Sequence, residues 1–600
     1  MHIFFLLLGN SDLLYNQSCQ YPVLNPWDES VMHTVRHPRY FECRRFQPEF
    51  TYVDIDGMLT LNLTEKNLYE KQKNYSATVV CRFASVTRGS TDNEILIENA
   101  NFLEETPVEV KSDITQVTCY FRKKRIYYNL HVFYRPQFNE KMVPPTADRL
   151  SVLLIILESM SYSRVRRNLP KLYNYLTKDM NSFVFRGYNK VADNTYPNLI
   201  SLLTGKRSGN HQPGMMDEFW GYRVYKEPFD NFPLIYKNFS QMGYKITFDE
   251  DNPDLGLFHF KKKGFASKYF DFTTRQFHIA RVKSSVQARS SLFCFGNNPI
   301  VSYSVNNIKR ILRLFSRRQL LFHSLTLNDL SHDFDNDIER ADLLLKELFQ
   351  SSNNLDLLEN TAVIVLGDHG PRFGKIRQSG FVGYVEERMP FLSVTLPKNL
   401  LKKYPTVKSS IELNKWRLTT PFDVYETLVD ILSQNYDGSQ RAYNKRGLSL
   451  LYEIPLNRSC QEAGIPDMYC LCHKNVLIDT KRIVVKKCAE KLLSHINELL
   501  SQTRHLCAFL SIKRIVSSFM VEKEISGYIE RQYRVLIETS PGKALLEGTI
   551  IKLRNTRTLE VVNDISRLNM YGRQAHCMQD TRLQKFCFCK DLLTTGAHLG

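Results

Sequence analysis

Three stretches of this chain share one pattern, an apolar run that ends in acids. They are VLLIILE at 152–158, LLFHSLTLNDLSHD at 320–333 and TAVIVLGDHG at 361–370. Runs that are continuously apolar rather than alternating belong to strands covered on both faces, as in parallel sheets between helices. MPFLSVTLP (389–397) reads as a fourth such strand, and PLIYKNFSQMGYKITFDED (233–251) as a helix, a glycine turn and a strand ending in acids. The segments NLPKLYNYLTKDM, PNLISLLTG, ERADLLLKELFQ and TTPFDVYETLVDIL (419–432) have helical apolar spacing. The alternation predicts an α/β/α sandwich with a mostly parallel sheet over residues 149–456. Ligands of such sheets bind beyond the carboxyl ends of the strands. That is where Glu158, Asn328, Asp329, His332, Asp333, Asp368 and His369 fall.

The loop between the first two helices, within GYNKVADNTYPNLISLLTG (187–205), carries Thr195 just before a helix expected from about Pro197 and ending at Gly205. A helix N-terminus favours anions. The plainer reading makes Asn194 or Thr195 an N-cap. Set beside the strand ends, the group gains chemical sense. Glu158, Asp368, His369 and the Thr195 hydroxyl form a plausible ligand set for Zn²⁺ or Mn²⁺. Metal binding would activate Thr195 as a nucleophile, and Asn194 at the helix start would steady charge on a phosphoryl group. A second cluster, Asn328, Asp329, His332 and Asp333, can add a second metal site or a proton donor, and Arg372 and Arg377 can clamp an anionic substrate.

The flanks differ from the centre. Of 13 cysteines, four precede residue 150, eight follow residue 459, and Cys294 stands alone between them. This usage and five N-x-S/T sequons, at Asn16, Asn62, Asn74, Asn238 and Asn457, point to an extracellular or secretory-pathway location with disulfides. Cys294 is the expected unpaired thiol. Residues 20–148 carry aromatic and β-branched strands (77–83, 116–122, 126–134) and predict a β-rich domain, with 137–150 as a linker. Residues 457–600 predict a Cys-rich α+β domain. In it a C-x9-C-x-C spacing occurs at Cys460, Cys470 and Cys472 and again at Cys577, Cys587 and Cys589. A zinc reading of these cysteines, with His473 and His576, is weaker than the disulfide reading. Residues 1–19 read as a clipped signal or the end of a membrane anchor, which would bring the protein near a membrane. The net charge of +18 is spread along the chain without a zinc-finger or RNA-binding signature, so nucleic acid is not an expected partner, whereas a polyanion-binding surface is compatible with it.

LESMSYSR, GYNKVADNTYPNLISLLTG, LSHD, VLGDHGPRFG, EERMPF, RLTTPFDVYETL and RGLSLLYEIPLNRSCQEAGIP…CLC, in that order, resemble the animal secreted family known as domain of unknown function 229. The resemblance runs from about residue 20 to 590 and is densest from 151 to 472. It implies the alkaline phosphatase-like (sulfatase-like) fold, in which a metal-bound Ser, Thr or modified Cys attacks a phosphate or sulfate ester. Position by position it implies Thr195 as nucleophile, Glu158, Asp368 and His369 as metal ligands, and Asp329 or His332 as the remnant of a second site. Relatives usually carry aspartate at 158, yet superfamily members that transfer phosphoglycerol or phosphoethanolamine are similar to Glu158 plus Thr195 with a single metal. A formylglycine sulfatase needs C/S-x-P-x-R, and this chain has Thr195-Tyr196-Pro197-Asn198-Leu199. Residues 371–420 also lack the later histidine of two-metal relatives. The expectation is a one-metal phosphoesterase or phospho-group transferase acting on an anionic ester, whether a phosphorylated glycan, a lipid or a small molecule. The alternative is a non-catalytic binding protein on the same fold.

Overall fold

The computed structural model describes residues 19–54, 56–134, 142–208, 217–219, 222, 226–439, 445–473, 475–525, 528–553 and 558–594. The signal-or-anchor reading of 1–19 falls almost wholly outside them, as do the Asn16 sequon and part of the 137–150 linker.

The centre is a seven-stranded sheet. In chain order its strands are β1 (Ser151–Leu157), β2 (Phe183–Val184), β3 (Lys245–Glu250), β4 (Phe272–Thr273), β5 (Leu321–Leu327), β6 (Thr361–Leu366) and β7 (Leu392–Thr395). Across the sheet the order is β2-β7-β6-β1-β5-β3-β4. The pairings of β1 with β5 and β6, and of β3 with β4 and β5, are parallel. All seven residues of β1 are buried, which is what its unbroken apolar run required. Val152, Leu154 and Ile156 enter one core, with helices α1 (Thr195–Thr204), α2 (Ile235–Gln241) and, further along the chain, 421–433. Leu153, Ile155 and Leu157 enter the other, with α3 (Ile300–Phe315) and α4 (Asp342–Asn354). Each such side chain contributes about 1.5–3 kcal/mol on burial, so this strand fixes the three-layer arrangement.

The expected fourth parallel strand differs: β7 runs antiparallel to β6. The intervening α5 (Gly380–Arg388) reverses the chain so that β7 can pair beside β6 without a crossover, and β2 then pairs antiparallel to it as the edge. The helix expected from Pro197 begins two residues earlier, at Thr195. It ends at Gly205, whose φ of +65° and close approach to the Tyr425 ring exclude a side chain. That ring belongs to α6 (Pro421–Ser433), started by a Thr420–Asp423 capping box.

Two further sheets flank the sandwich. On the N-terminal side, Val80–Arg88, Ile114–Phe121 and Lys124–Val132 pair antiparallel, with Cys81 bonded to its register partner Cys119. On the C-terminal side, β8 (Ser511–Ile525), β9 (Tyr528–Ser540), β10 (Leu545–Lys552) and β11 (Leu559–Arg567) form an antiparallel meander. Helix α7 (Ile483–Leu499) packs its apolar face on that meander.

Cys294 is not the free thiol. It pairs with Cys43, and the unpaired cysteine is Cys488, buried on the apolar face of α7. A cysteine isolated in sequence was expected to be isolated in space, but the N-terminal segment crosses the sandwich and meets it. Cys19–Cys472 is a second such staple. The repeated C-x9-C-x-C spacing is bonded differently in its two copies. Cys460–Cys470 and Cys577–Cys589 close locally, whereas Cys472 and Cys587 reach Cys19 and Cys507. Among the described residues, no helix is long and apolar enough to cross a membrane.

Candidate active site

The parallel strands β1 and β6 are neighbours, so their carboxyl ends deliver Glu158 and Asp368-His369 side by side. Ser159, directly after Glu158, has a left-handed φ of +60°, a costly conformation for serine that clusters at functional sites. Its N–H donates to Asp368 Oδ1 at 2.9 Å, and the His369 N–H donates to the same oxygen at 2.9 Å. The fully buried Arg164 donates to the Ser159 carbonyl at 2.9 Å and to that of Ser331 at 3.2 Å, tying the ends of β1 and β5 together. Gly370 follows His369 because a Cβ there would lie 1.9 Å from the Glu386 carbonyl oxygen.

The capping alternative for Asn194 and Thr195 does not describe what their side chains do. Asn194 occupies the N-cap position but makes no side-chain cap. Thr195, the first residue of α1, donates its hydroxyl to Glu158 Oε1 at 2.8 Å, and its oxygen lies 3.2 Å from His369 Nε2. The loop before it is held by buried Asn198, which accepts from the N–H groups of Val191 and Ala192 and donates to the carbonyls of Ala192 and Asn194.

The protonation pattern of this group is informative. His369 Nδ1 lies 2.8 Å from the Gly370 carbonyl, which assigns the proton to Nδ1 and leaves a lone pair on Nε2. Burial pulls His369 down to about 4, so it is neutral at pH 7. Its Nε2 lone pair nevertheless faces Asp368 Oδ2 at 3.2 Å. Asp368 Oδ2 and Glu158 Oε2 are buried without hydrogen-bond partners. Burial first, then the Asp368 charge, pushes the Glu158 carboxyl up to about 8. One ligand atom from each of Glu158, Asp368 and His369 lies within 4.8 Å of the others, and all three residues are buried. Converging acceptor atoms that the protein leaves without donors are what a divalent cation neutralises, and the Nδ1–carbonyl bond is the usual outer support of a metal-binding histidine. These residues fit the expected metal.

The other sequence candidates are divided. His332 Nε2 lies 3.7 Å from Glu158 Oε1. Burial opposes its charge, but the Asp333 carboxylate at 2.9 Å from Nδ1 and the Glu158 charge raise it above the usual imidazole value. Arg372 faces the same space and donates to Asp193 Oδ2 at 3.1 Å. Burial opposes ionisation of Asp193, but Arg372 and Lys190 outweigh it and hold it well below the usual carboxylate range. Asp329 is not gathered into the metal-type cluster. Its Oδ1 accepts from Asn252 Nδ2 at 2.6 Å, beside Asp251, at the ends of β3 and β5. Arg377 lines the same space, yet its guanidinium is engaged by Glu547 of β10 at 3.0 Å.

The cluster opens into a cleft of 880 Å³ whose opposite wall comes from the C-terminal meander and the segment after it, including Arg567, Tyr571, Arg582 and Lys585. Sequence reasoning missed this wall, because nothing local links residues near 570 to Thr195. It also missed a buried chain of charge behind the nucleophile loop. Lys190 is paired with Glu387 and donates to the Asp193 carbonyl at 3.1 Å; Glu387 is paired with Arg388; Arg377 and Arg388 lie 3.0 and 3.6 Å from Glu547. The one sequence signal was the unusual density of charge in EERMPF.

The family described as "Protein of unknown function (DUF229)" matches residues 38–516 of the chain. The chain belongs to that family. Comparison with curated proteins returns no match. Among solved structures, it is similar to a protein in the alkaline phosphatase superfamily from Vibrio parahaemolyticus, at 11% identity over 72% of this chain and 86% of that one, with a TM-score of 0.34. It is also similar to the C-terminal periplasmic domain of EcEptC from Escherichia coli in complex with Zn, at 13% identity over 53% and 89%, TM-score 0.32. A third is the lipoteichoic acid synthase LtaP from Listeria monocytogenes, at 10% identity over 65% and 86%, TM-score 0.32. At these scores they add nothing to the reading of the site, which rests on its own residues. The family match stops at residue 516, short of the residues that form the cleft's far wall.

Proposed function

We propose that this protein is a metal-dependent phosphoesterase or phospho-group transferase of the secretory pathway or extracellular space, with Thr195 as its nucleophile. The observation that carries the reading is the contact of the Thr195 hydroxyl with Glu158 and His369 amid carboxylate oxygens that lack protein partners. Glu158, Asp368, His369 and Thr195 would hold one divalent ion, Zn²⁺ or Mn²⁺. Bound there, it would lower the hydroxyl pKa and offset charge on the ester oxygens. Glu158 orients the hydroxyl and, ionised by the charge of the ion, would take its proton. The Thr195 oxygen then attacks phosphorus, and the bond to the leaving oxygen breaks. The N-terminal end of α1, with Asn194, faces the charge that develops on the phosphoryl oxygens. His332 is placed to protonate the leaving oxygen, and Arg372 to orient the anionic ester. Water or an acceptor hydroxyl subsequently displaces Thr195 from phosphorus and restores the site.

The test is Thr195→Ala against a panel of phosphate mono- and diesters. Turnover falls on the order of 10³-fold or more while fold and metal content persist. Equal turnover by the variant overturns the proposal.

A further inference from the structure

A second cavity, of 750 Å³, opens where the N-terminal sheet meets the β3–β4 edge of the sandwich. Among the described residues it shares no lining residue with the Thr195 cleft. Of the four acids that line it, Asp92, Asp271 and Glu250 accept from the protein itself. Asp92 accepts from Arg88 Nε and the Phe265 N–H, both at 2.8 Å, and lies 3.1 Å from His259 Nε2. Asp271 accepts from the Ile246 N–H at 2.8 Å and lies 3.3 Å from Lys245. Glu250 accepts from the Leu257 N–H at 2.7 Å.

The donors are left over. Gln276 Nε2, Arg275 Nε and the Tyr269 hydroxyl are buried without hydrogen-bond partners, and Gln276 as a whole is only 5% exposed. Leaving such groups unpaired costs about 1–3 kcal/mol each, so a site that gathers several is selected for something that satisfies them. Exposed Lys111 and Lys268 stand at the cavity without an ion pair among the described residues. The Tyr269 ring, stacked on Phe265 with centroids 4.3 Å apart, adds a flat apolar wall.

We propose that this cavity is a non-catalytic binding site for an anionic saccharide. Its ring would lie against the Tyr269–Phe265 wall and its acidic group would face Lys111, Lys268 and the unspent donors. A ring wall with surplus donors and positive charge selects ligands rich in acceptors over neutral ones. Binding here would be independent of Thr195 chemistry.

Calorimetric titration of the full chain tests this. The probes are a heparin tetrasaccharide (sulfate and carboxylate), a hyaluronan tetrasaccharide (carboxylate only) and maltotetraose (neutral). At least one acidic probe binds at a single saturable site, and maltotetraose binds at least about tenfold more weakly. Whichever acidic probe binds identifies the acid that the site reads. Lys111→Glu with Lys268→Glu weakens binding by about tenfold or more, and Lys268→Glu alone by less. Arg582→Glu, in the Thr195 cleft, leaves it unchanged. The proposal is overturned by absence of saturable binding of both acidic probes, by equal affinity for maltotetraose, by unaltered affinity in the double variant, or by loss in Arg582→Glu instead.

Discussion

Two clusters of acids sit at carboxyl ends of the same sheet, and they differ in what remains unspent. At the ends of β1 and β6, Glu158 Oε2 and Asp368 Oδ2 have no hydrogen-bond partner; His369 turns its Nε2 lone pair toward Asp368, and the Thr195 hydroxyl donates to Glu158 Oε1. At the ends of β3 and β5, the acids are occupied by the protein itself. Asp251 accepts from the N–H groups of Asn328 and Asp329, Asp329 from Asn252, and Asp249 from Thr274 and Ser304. Helix α3 supplies Ser304, and Thr274 immediately follows β4, so secondary structure has closed this second cluster against a ligand. Carboxylates at strand ends therefore do not make a site; carboxylates with nothing left to bond do. A buried acid must be paired or neutralised, and in the first cluster two carboxyl oxygens have no protein partner for that task.

The contrast can be broken by mutation. Asp368→Asn should lower turnover on the order of 10³-fold, whereas Asp329→Asn should cost less than about tenfold. Comparable losses would erase the distinction between the clusters. Gly370→Ala probes the geometry that aims His369. The added Cβ meets the Glu386 carbonyl, and overpacking of this kind costs about 1–3 kcal/mol or more. Thermal unfolding should show a clear drop; an unchanged midpoint would mean that the Asp-His-Gly turn relaxes freely.

The smallest expected effect belongs to Glu250, between Asp249 and Asp251. Burial raises its carboxyl from the usual 4.5 to about 7. A carboxyl with a folded value above its unfolded one contributes stability that is complete below about 4.5 and lost as pH rises through about 7. Glu250→Gln should flatten the fall in unfolding midpoint between about pH 4.5 and 7, on the order of a few degrees. An identical pH profile in the variant would show that other groups set that slope.

Much of this was legible in the sequence because the sheet is buried on both faces. A strand such as Ser151–Leu157 must be wholly apolar until it leaves the sheet, so its first acid marks the edge where ligands bind. That placed Glu158, Asp368 and His369, and the Thr-x-Pro turn placed Thr195. The same rule ranked Asp329 beside them, because sequence shows where an acid lies and not which neighbours satisfy it. The direction of β7 was hidden too, since a buried edge strand reads alike whichever way it runs. The partners of Cys43 and Cys19, the Lys190–Glu387 and Arg388–Glu547 pairs and the C-terminal wall of the cleft depend on contacts more than 150 residues apart. No local pattern encodes those contacts.

Metal content tests the central claim most directly. The wild-type chain, Asp368→Asn, His369→Ala and Asp329→Asn are loaded with Zn²⁺ or Mn²⁺, freed of excess ion and analysed by mass spectrometry. The account predicts about one ion per chain in the wild type and in Asp329→Asn, and a loss of about 10-fold or more in affinity when Asp368 or His369 is changed. A wild-type chain that retains no ion, or an ion lost as readily with Asp329 as with Asp368, would contradict it.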